Sequence, residues 1–190
     1  YFKITCYIIA IYQSIFSKFM HLKVHQIGKH YHQQWLFRRI SFDLNAGDRL
    51  AILGRNGSGK STLLQIIYGL IQAAEGEVLL DQAIIENPHQ VFNYTAPLMA
   101  LPLEFSIEEI HNHQVEVGKM SKSLSDFIEY AEFTKLQANK PIQYFSSGML
   151  QRLKTALCLA GNAPIKLLDE PLSNMDKEGE IWYSNCMSKL

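Results

Sequence analysis

An α/β fold, in which helices flank a parallel sheet, antiparallel strands lie ahead of it and a helical subdomain is inserted, is predicted by three observations. From residue 21 onward, apolar runs of strand length alternate with segments of helical periodicity. A glycine-rich loop at 54–62 joins a short apolar run to a helical segment. A mostly helical stretch, about 88–160, then separates that loop from a second apolar run ending in two acids.

The elements follow in order. Residues 1–19 contain the apolar run CYIIAIYQSIFSKF, broken by Gln13, Ser14 and Ser17. It is too short and interrupted to span a bilayer and lacks a small-residue cleavage site. It reads as translated upstream sequence or a disordered extension, with an interfacial helix the lesser alternative, so the domain is assigned to 20–190. Segments 22–27 and 40–44 read as strands, and 49–53 is a short apolar run ending at a glycine. In 59–70 the residues Leu63, Leu64, Ile66, Ile67 and Leu70 recur at helical spacing, with Gly69 near the stop. Segment 76–81 reads as a strand. Helices are expected over 106–112 and 122–137, with Pro97, Pro102 and Pro141 as breaks. A helix over 148–159, a buried strand over 165–168 and a helix after Asp176 complete the pattern.

Composition narrows the function. The 190 residues carry 18 Lys+Arg and 18 Asp+Glu, so no basic surplus exists to displace counterions from a nucleic acid. Cys6, Cys158 and Cys186 form no CxxC pair, which fits a reducing compartment. His30/His32 and His111/His113 lack a Cys or acid at ligand spacing, so no metal site is assigned to them. Trp35, Phe37 and Phe42 are read as packing a core sheet. Phe127, Ile128, Tyr130, Ala131 and Phe133 are read as packing the helical subdomain.

The chemistry concentrates in two places. Gly54-Arg55-Asn56-Gly57-Ser58-Gly59-Lys60-Ser61-Thr62 fits the phosphate-binding pattern GxxxxGK[ST], which defines a P-loop NTPase core. Glycines let the backbone fold so that amides face phosphate oxygens, and the helix N-terminus adds partial positive charge. Lys60 is expected to reach the β- and γ-phosphates, and Ser61 to ligate Mg²⁺. The run Ile165-Lys166-Leu167-Leu168-Asp169-Glu170-Pro171 places Asp169 at the carboxyl end of a buried strand, where it would hold Mg²⁺. Glu170 would orient or deprotonate the water that attacks the γ-phosphate.

Phe145-Ser146-Ser147-Gly148-Met149, followed by Gln151-Arg152 and an apolar helix, resembles the LSGGQ signature of ABC ATPases. Asp169-Glu170-Pro171 followed by Ser173-Asn174-Met175-Asp176 is similar to that family's D-loop. The resemblance covers nearly everything from residue 21 and implies an ATP-binding and hydrolysing cassette with ATP and Mg²⁺ as cofactors, cut short at its C-terminal end. It implies a second ABC cassette paired head to tail, a transmembrane permease subunit, no nucleic acid, and a cytoplasmic position on the inner face of the membrane. Ser146 and the amide of Gly148 would then contact the γ-phosphate held by the partner cassette. Tyr31 falls at the place of the family's adenine-stacking aromatic, a surface tyrosine being the alternative. Ser147 and Met149 depart from the signature, which implies weaker closure. The segment NYTAP (94–97 with Asn93) holds no glutamine where the family has one, and the switch histidine is expected past Leu190. A soluble ABC ATPase, or a regulatory module with weak hydrolysis, are the alternative readings.

Overall fold

The computed structural model describes residues 7–11 and 20–189. The chain forms two compact units, Tyr1–Tyr94 with Pro164–Asp169, and Thr95–Ala163 with Glu170–Leu190.

The first unit holds two sheets. Strands β2 (His21–Tyr31) and β3 (Gln34–Asn45) form an antiparallel hairpin, extended by β5 (Glu75–Leu80) and β6 (Ala83–Ile84) in the order β3-β2-β5-β6. Leu22 and Val24 face the core by strand alternation, opposite Leu44 and Phe42. The next core residue is Ile27, three positions on, because a bulge with Gln26 at φ 52° inserts one residue and rephases the strand. Without it, Gln26 would point inward.

The other sheet has the order β4-β1-β8-β7, comprising β1 (Tyr7–Ile11), β4 (Arg49–Ile52), β7 (Phe92–Thr95) and β8 (Ile165–Asp169). This corrects the reading of residues 1–19 as lying wholly outside the domain. β1 pairs antiparallel with both β4 (Ile9↔Leu50) and β8 (Ile9↔Leu167), and Ile9 is fully buried. A short β-branched apolar run lowers its free energy by entering a sheet that satisfies its amides on both sides. Residues 1–6 and 12–19 lie outside the described residues. Since β4 and β8 are each antiparallel to β1, they run parallel to one another with β1 reversed between them, where a parallel sheet was expected. Helix α1 (Lys60–Tyr68) follows β4 and buries Leu63, Leu64, Ile66 and Ile67 in one cluster with Ile9, Leu22, Ile27, Ile165 and Leu167. Each such side chain contributes roughly 1.5–3 kcal/mol through burial.

The single turn α2 (Pro88–Val91) and strand β7 fall where the helical subdomain was expected to begin, so the second unit starts at Thr95. Phe37 and Phe42 pack against the core as expected. Trp35 does not: it is 40% exposed, with the Arg38 guanidinium 4.0 Å above its ring.

The second unit is helical: α3 (Ile107–Glu116), α4 (Leu124–Tyr130), α5 (Lys135–Ala138), α6 (Ser147–Ala160) and α7 (Lys177–Ser188). The single helix expected over 122–137 is two. Glu132 adopts φ 53°, and Thr134 then caps α5 by accepting from the Gln137 amide. Phe127 and Ala131 are fully buried and Phe133 nearly so, in keeping with a packing role. Trp182 of α7 is buried and donates its indole N–H to the Tyr130 carbonyl at 2.7 Å. Among the described residues, no helix is long and apolar enough to cross a membrane.

Candidate functional site

Strand β4 ends at Ile52 and the chain turns through 53–59 into α1. Gly57 at φ 77° and Gly59 at φ 92° take left-handed conformations that side chains resist. At Gly59 a Cβ would also stand 2.8 Å from Leu36 and Phe37, so β3 presses directly on the loop. Gly59 is the N-cap of α1, with no side chain to cap its amides, and the first turn carries no acid. A cavity of about 210 Å³ opens here, lined by Leu36, Gly57, Gly59, Lys60, Ser61 and Thr62. Lys60 is only 6% exposed, and its ammonium donates to the carbonyls of Gly54 (2.9 Å) and Arg55 (2.7 Å). Asn56 and Ser58 are exposed on the loop, where the Ser58 amide closes a turn onto the Arg55 carbonyl at 3.2 Å.

Every residue of β8 is buried, and Asp169, at its end, is 3% exposed. A carboxylate so placed needs hydrogen-bond donors. The Ser61 hydroxyl donates to Oδ1 at 3.2 Å and the Tyr94 hydroxyl to Oδ2 at 3.3 Å. The structure thus brings together Lys60, Ser61 and Asp169, residues separated by more than 100 positions. Hard oxygen donors of this kind suit Mg²⁺, which takes one or two protein ligands beside phosphate oxygens. No group of three or more His, Cys, Asp or Glu able to hold a metal assembles among the described residues. His111 and His113 lie two apart on α3, a spacing that sends them to different faces, and His111 is instead buried with its Nε2 2.9 Å from the Lys122 carbonyl.

The second unit carries the remaining residues. Ser146 is the N-cap of α6 and accepts from the Met149 amide at 3.2 Å. Ser147, the first residue of that helix, is exposed. Gly148 differs: a Cβ would stand 2.9 Å from the Asn174 carbonyl, and only glycine permits that backbone approach. Of the two signature positions, the serine is exposed, whereas at the glycine a side chain would meet backbone. Glu170 adopts φ 48° and Asn174 φ 62°, both strained for residues with a Cβ. Buried Gln151 of α6 points its amide at the carbonyls of Glu170 (3.4 Å) and Pro171 (3.3 Å), fixing the turn after β8.

Tyr31 stands at the end of β2, half exposed, with the Lys29 ammonium 5.4 Å from its ring centroid. Sequence reasoning missed Leu36, Tyr94 and Gln151. Leu36 has no chemical signal, because only the fold of β3 brings it to the loop. Tyr94 lay inside the segment searched for a glutamine, and a hydroxyl was not considered in its place.

The family described as ABC transporter matches residues 37–173. The cytochrome c biogenesis ATP-binding export protein of Rhizobium etli is 30% identical over 176 residues, covering 88% of this chain and 81% of that protein. The teichoic acids export ATP-binding protein of Listeria monocytogenes is 30% identical over 158 residues; this chain spans only 44% of its length. A dimeric ATP-binding cassette solved in a post-hydrolysis state with ADP and Pi superposes with a TM-score of 0.68 at 21% identity, over 89% of this chain and 82% of that one. The phosphate-loop fold, the loop itself and these likenesses agree: the chain belongs to the ABC transporter family of ATP-binding cassettes.

Proposed function

We propose that this chain binds ATP with Mg²⁺ and hydrolyses it to ADP and phosphate, powering transport as one of two cassettes beside a transmembrane subunit. The observation that carries this reading is a cavity lined by Gly57, Gly59, Lys60, Ser61 and Thr62, with Ser61 also hydrogen-bonded to Asp169 at the end of β8. Backbone amides of Gly54, Asn56, Gly57, Ser58 and Gly59 cradle the triphosphate, with Lys60 neutralising it and Thr62 closing the cavity wall. Lys60 exchanges its two carbonyl partners for phosphate oxygens. Ser61 and Asp169 hold Mg²⁺, which when bound spreads the charge of the β- and γ-phosphates. Glu170 takes the proton from water as its oxygen bonds to the γ-phosphorus and the bond to the β-γ bridging oxygen breaks, releasing ADP. Tyr31 stacks on adenine.

Ser146 and the Gly148 amide act on the nucleotide of a second, head-to-tail cassette, and a solved relative is dimeric with ADP and Pi. Residues 97–105 supply a docking surface for a membrane-embedded partner on the cytoplasmic side. There Leu98 is 98% exposed, and Met99, Leu103 and Phe105 are between 43% and 46% exposed, more apolar surface than a solvent-facing loop normally shows.

Two substitutions in the full-length protein test the reading. Lys60→Ala removes two charge-assisted hydrogen bonds, worth about 3 kcal/mol, and should weaken ATP binding roughly 100-fold in a fluorescent-nucleotide titration. Glu170→Gln should leave binding intact and slow phosphate release by roughly 100- to 10,000-fold. Equal turnover by Glu170→Gln and the parent would remove the role given to Glu170.

A further inference from the structure

We propose that Tyr94 is a positioning residue for Asp169, its hydroxyl fixing the plane of the carboxylate so that Oδ1 faces Ser61 and the divalent cation. The inference rests on the nucleotide reading above and assigns one residue a part in it. An aspartate held at one oxygen still turns about its last side-chain bond, since that torsion is broad and weakly restrained. Held at both, it does not. Asp169 receives Ser61 at Oδ1 (3.2 Å) from the start of α1 and Tyr94 at Oδ2 (3.3 Å) from β7, the strand beside β8 in the sheet. The two donors approach different oxygens from different elements, and each restrains rotation of the carboxylate.

The phenol is itself held in place. Its ring lies 5.3 Å from that of Tyr68 on α1, which also contacts the rings of Phe92 (6.3 Å) and His89 (5.4 Å). The Tyr68 hydroxyl is engaged 2.7 Å from His89 Nδ1. Strand alternation explains the direction: Phe92 and Tyr94 are two apart on β7 and share a face. Hydrogen bonds to an ionised acceptor are about twice as strong as neutral ones, which favours the bond from the Tyr94 hydroxyl to Asp169 Oδ2.

The test compares ATP affinity with excess Mg²⁺ and with EDTA, by titration of a fluorescent ATP analogue into the full chain. Tyr94→Phe keeps the ring and removes only the hydroxyl. In EDTA its affinity should equal the parent's, whereas the gain on adding Mg²⁺ should be roughly tenfold smaller. In an Asp169→Asn background, Tyr94→Phe should change nothing further, because the hydroxyl acts through the carboxylate. Tyr68→Phe, which removes a hydroxyl from the same ring cluster, should leave the Mg²⁺ gain as in the parent. An unchanged gain in Tyr94→Phe, an undiminished effect without Asp169, or an equal loss in Tyr68→Phe would each overturn the assignment. A parent chain with no ATP affinity in either condition would instead overturn the nucleotide reading, and the role of Tyr94 with it.

Discussion

Helices α1 and α6 both carry a glycine at or near the first turn, Gly59 as the N-cap of one and Gly148 as the second residue of the other, yet their starts are finished in different ways. At α1 the N-cap is Gly59, which has no side chain to offer, and no acid occupies the first turn. At α6 the N-cap is Ser146, whose hydroxyl accepts from the Met149 amide. The glycines differ as well. Gly59 is required by its φ of 92° and by Leu36 and Phe37, whereas Gly148 is required because the Asn174 carbonyl comes close. Every helix leaves its first amides without internal partners. At the first helix no side chain of the N-cap takes up those amides, and at the second the Ser146 hydroxyl settles one of them within the chain. The proposed primary phosphate site and the proposed secondary contact thus differ in how their helices are capped.

The largest expected effect is at Gly59. Gly59→Ala should cost about 2–4 kcal/mol, from the left-handed backbone and the crowding against β3, and it should abolish nucleotide binding. Gly148→Ala, opposed by a single carbonyl, should cost about 1–3 kcal/mol in a urea melt and leave binding to the loop intact. If the two substitutions cost the same and both spare ATP binding, the distinction between the helix starts is lost. Ser146→Ala comes next, at about 1 kcal/mol from the lost cap, read as a lowered melting temperature.

The smallest effect sharpens the comparison through α3, whose start carries a reciprocal capping box. Ser106 accepts from the Glu109 amide, while the Glu109 carboxylate receives both the amide and the hydroxyl of Ser106. Those hydrogen bonds hold its pKa below the ordinary glutamate value. A depressed carboxylate pKa contributes stability that is present above the unfolded value, about 4.3, and fades as pH falls through the folded one. Urea midpoints measured from pH 7 down to 3 should therefore fall more for the parent than for Glu109→Gln. Parallel curves would show that the ionised box contributes nothing.

Much of the site was legible because its signals are local. The loop 54–62 and the helix after it need nothing beyond their own residues, and the all-apolar run before Asp169 announces a buried strand within five positions. What stayed hidden depends on pairings between distant parts of the chain. The run 6–19 was weighed against a bilayer, because it carries no mark of the strands, Arg49–Ile52 and Ile165–Asp169, that pair with Tyr7–Ile11. The helix over 122–137 was drawn through Glu132 because a left-handed residue other than glycine has no compositional mark, although the Thr134–Gln137 capping box was there to be read. Ser147 raised an expectation of weaker closure from its identity alone; its side chain is exposed at the first helical position.

The reversed strand β1 also acts as a gauge. Neighbouring strands lie about 4.8 Å apart, so one intervening strand sets β4 and β8 at roughly 9.6 Å. The glycine loop follows the first of these and Asp169 ends the second, and Tyr7 pairs with both Ile52 and Asp169 at those ends. The reach from Ser61 to Asp169 is thus metered by backbone belonging to neither motif, and a slip of β1 by one residue would detune the site without altering a single residue that touches nucleotide.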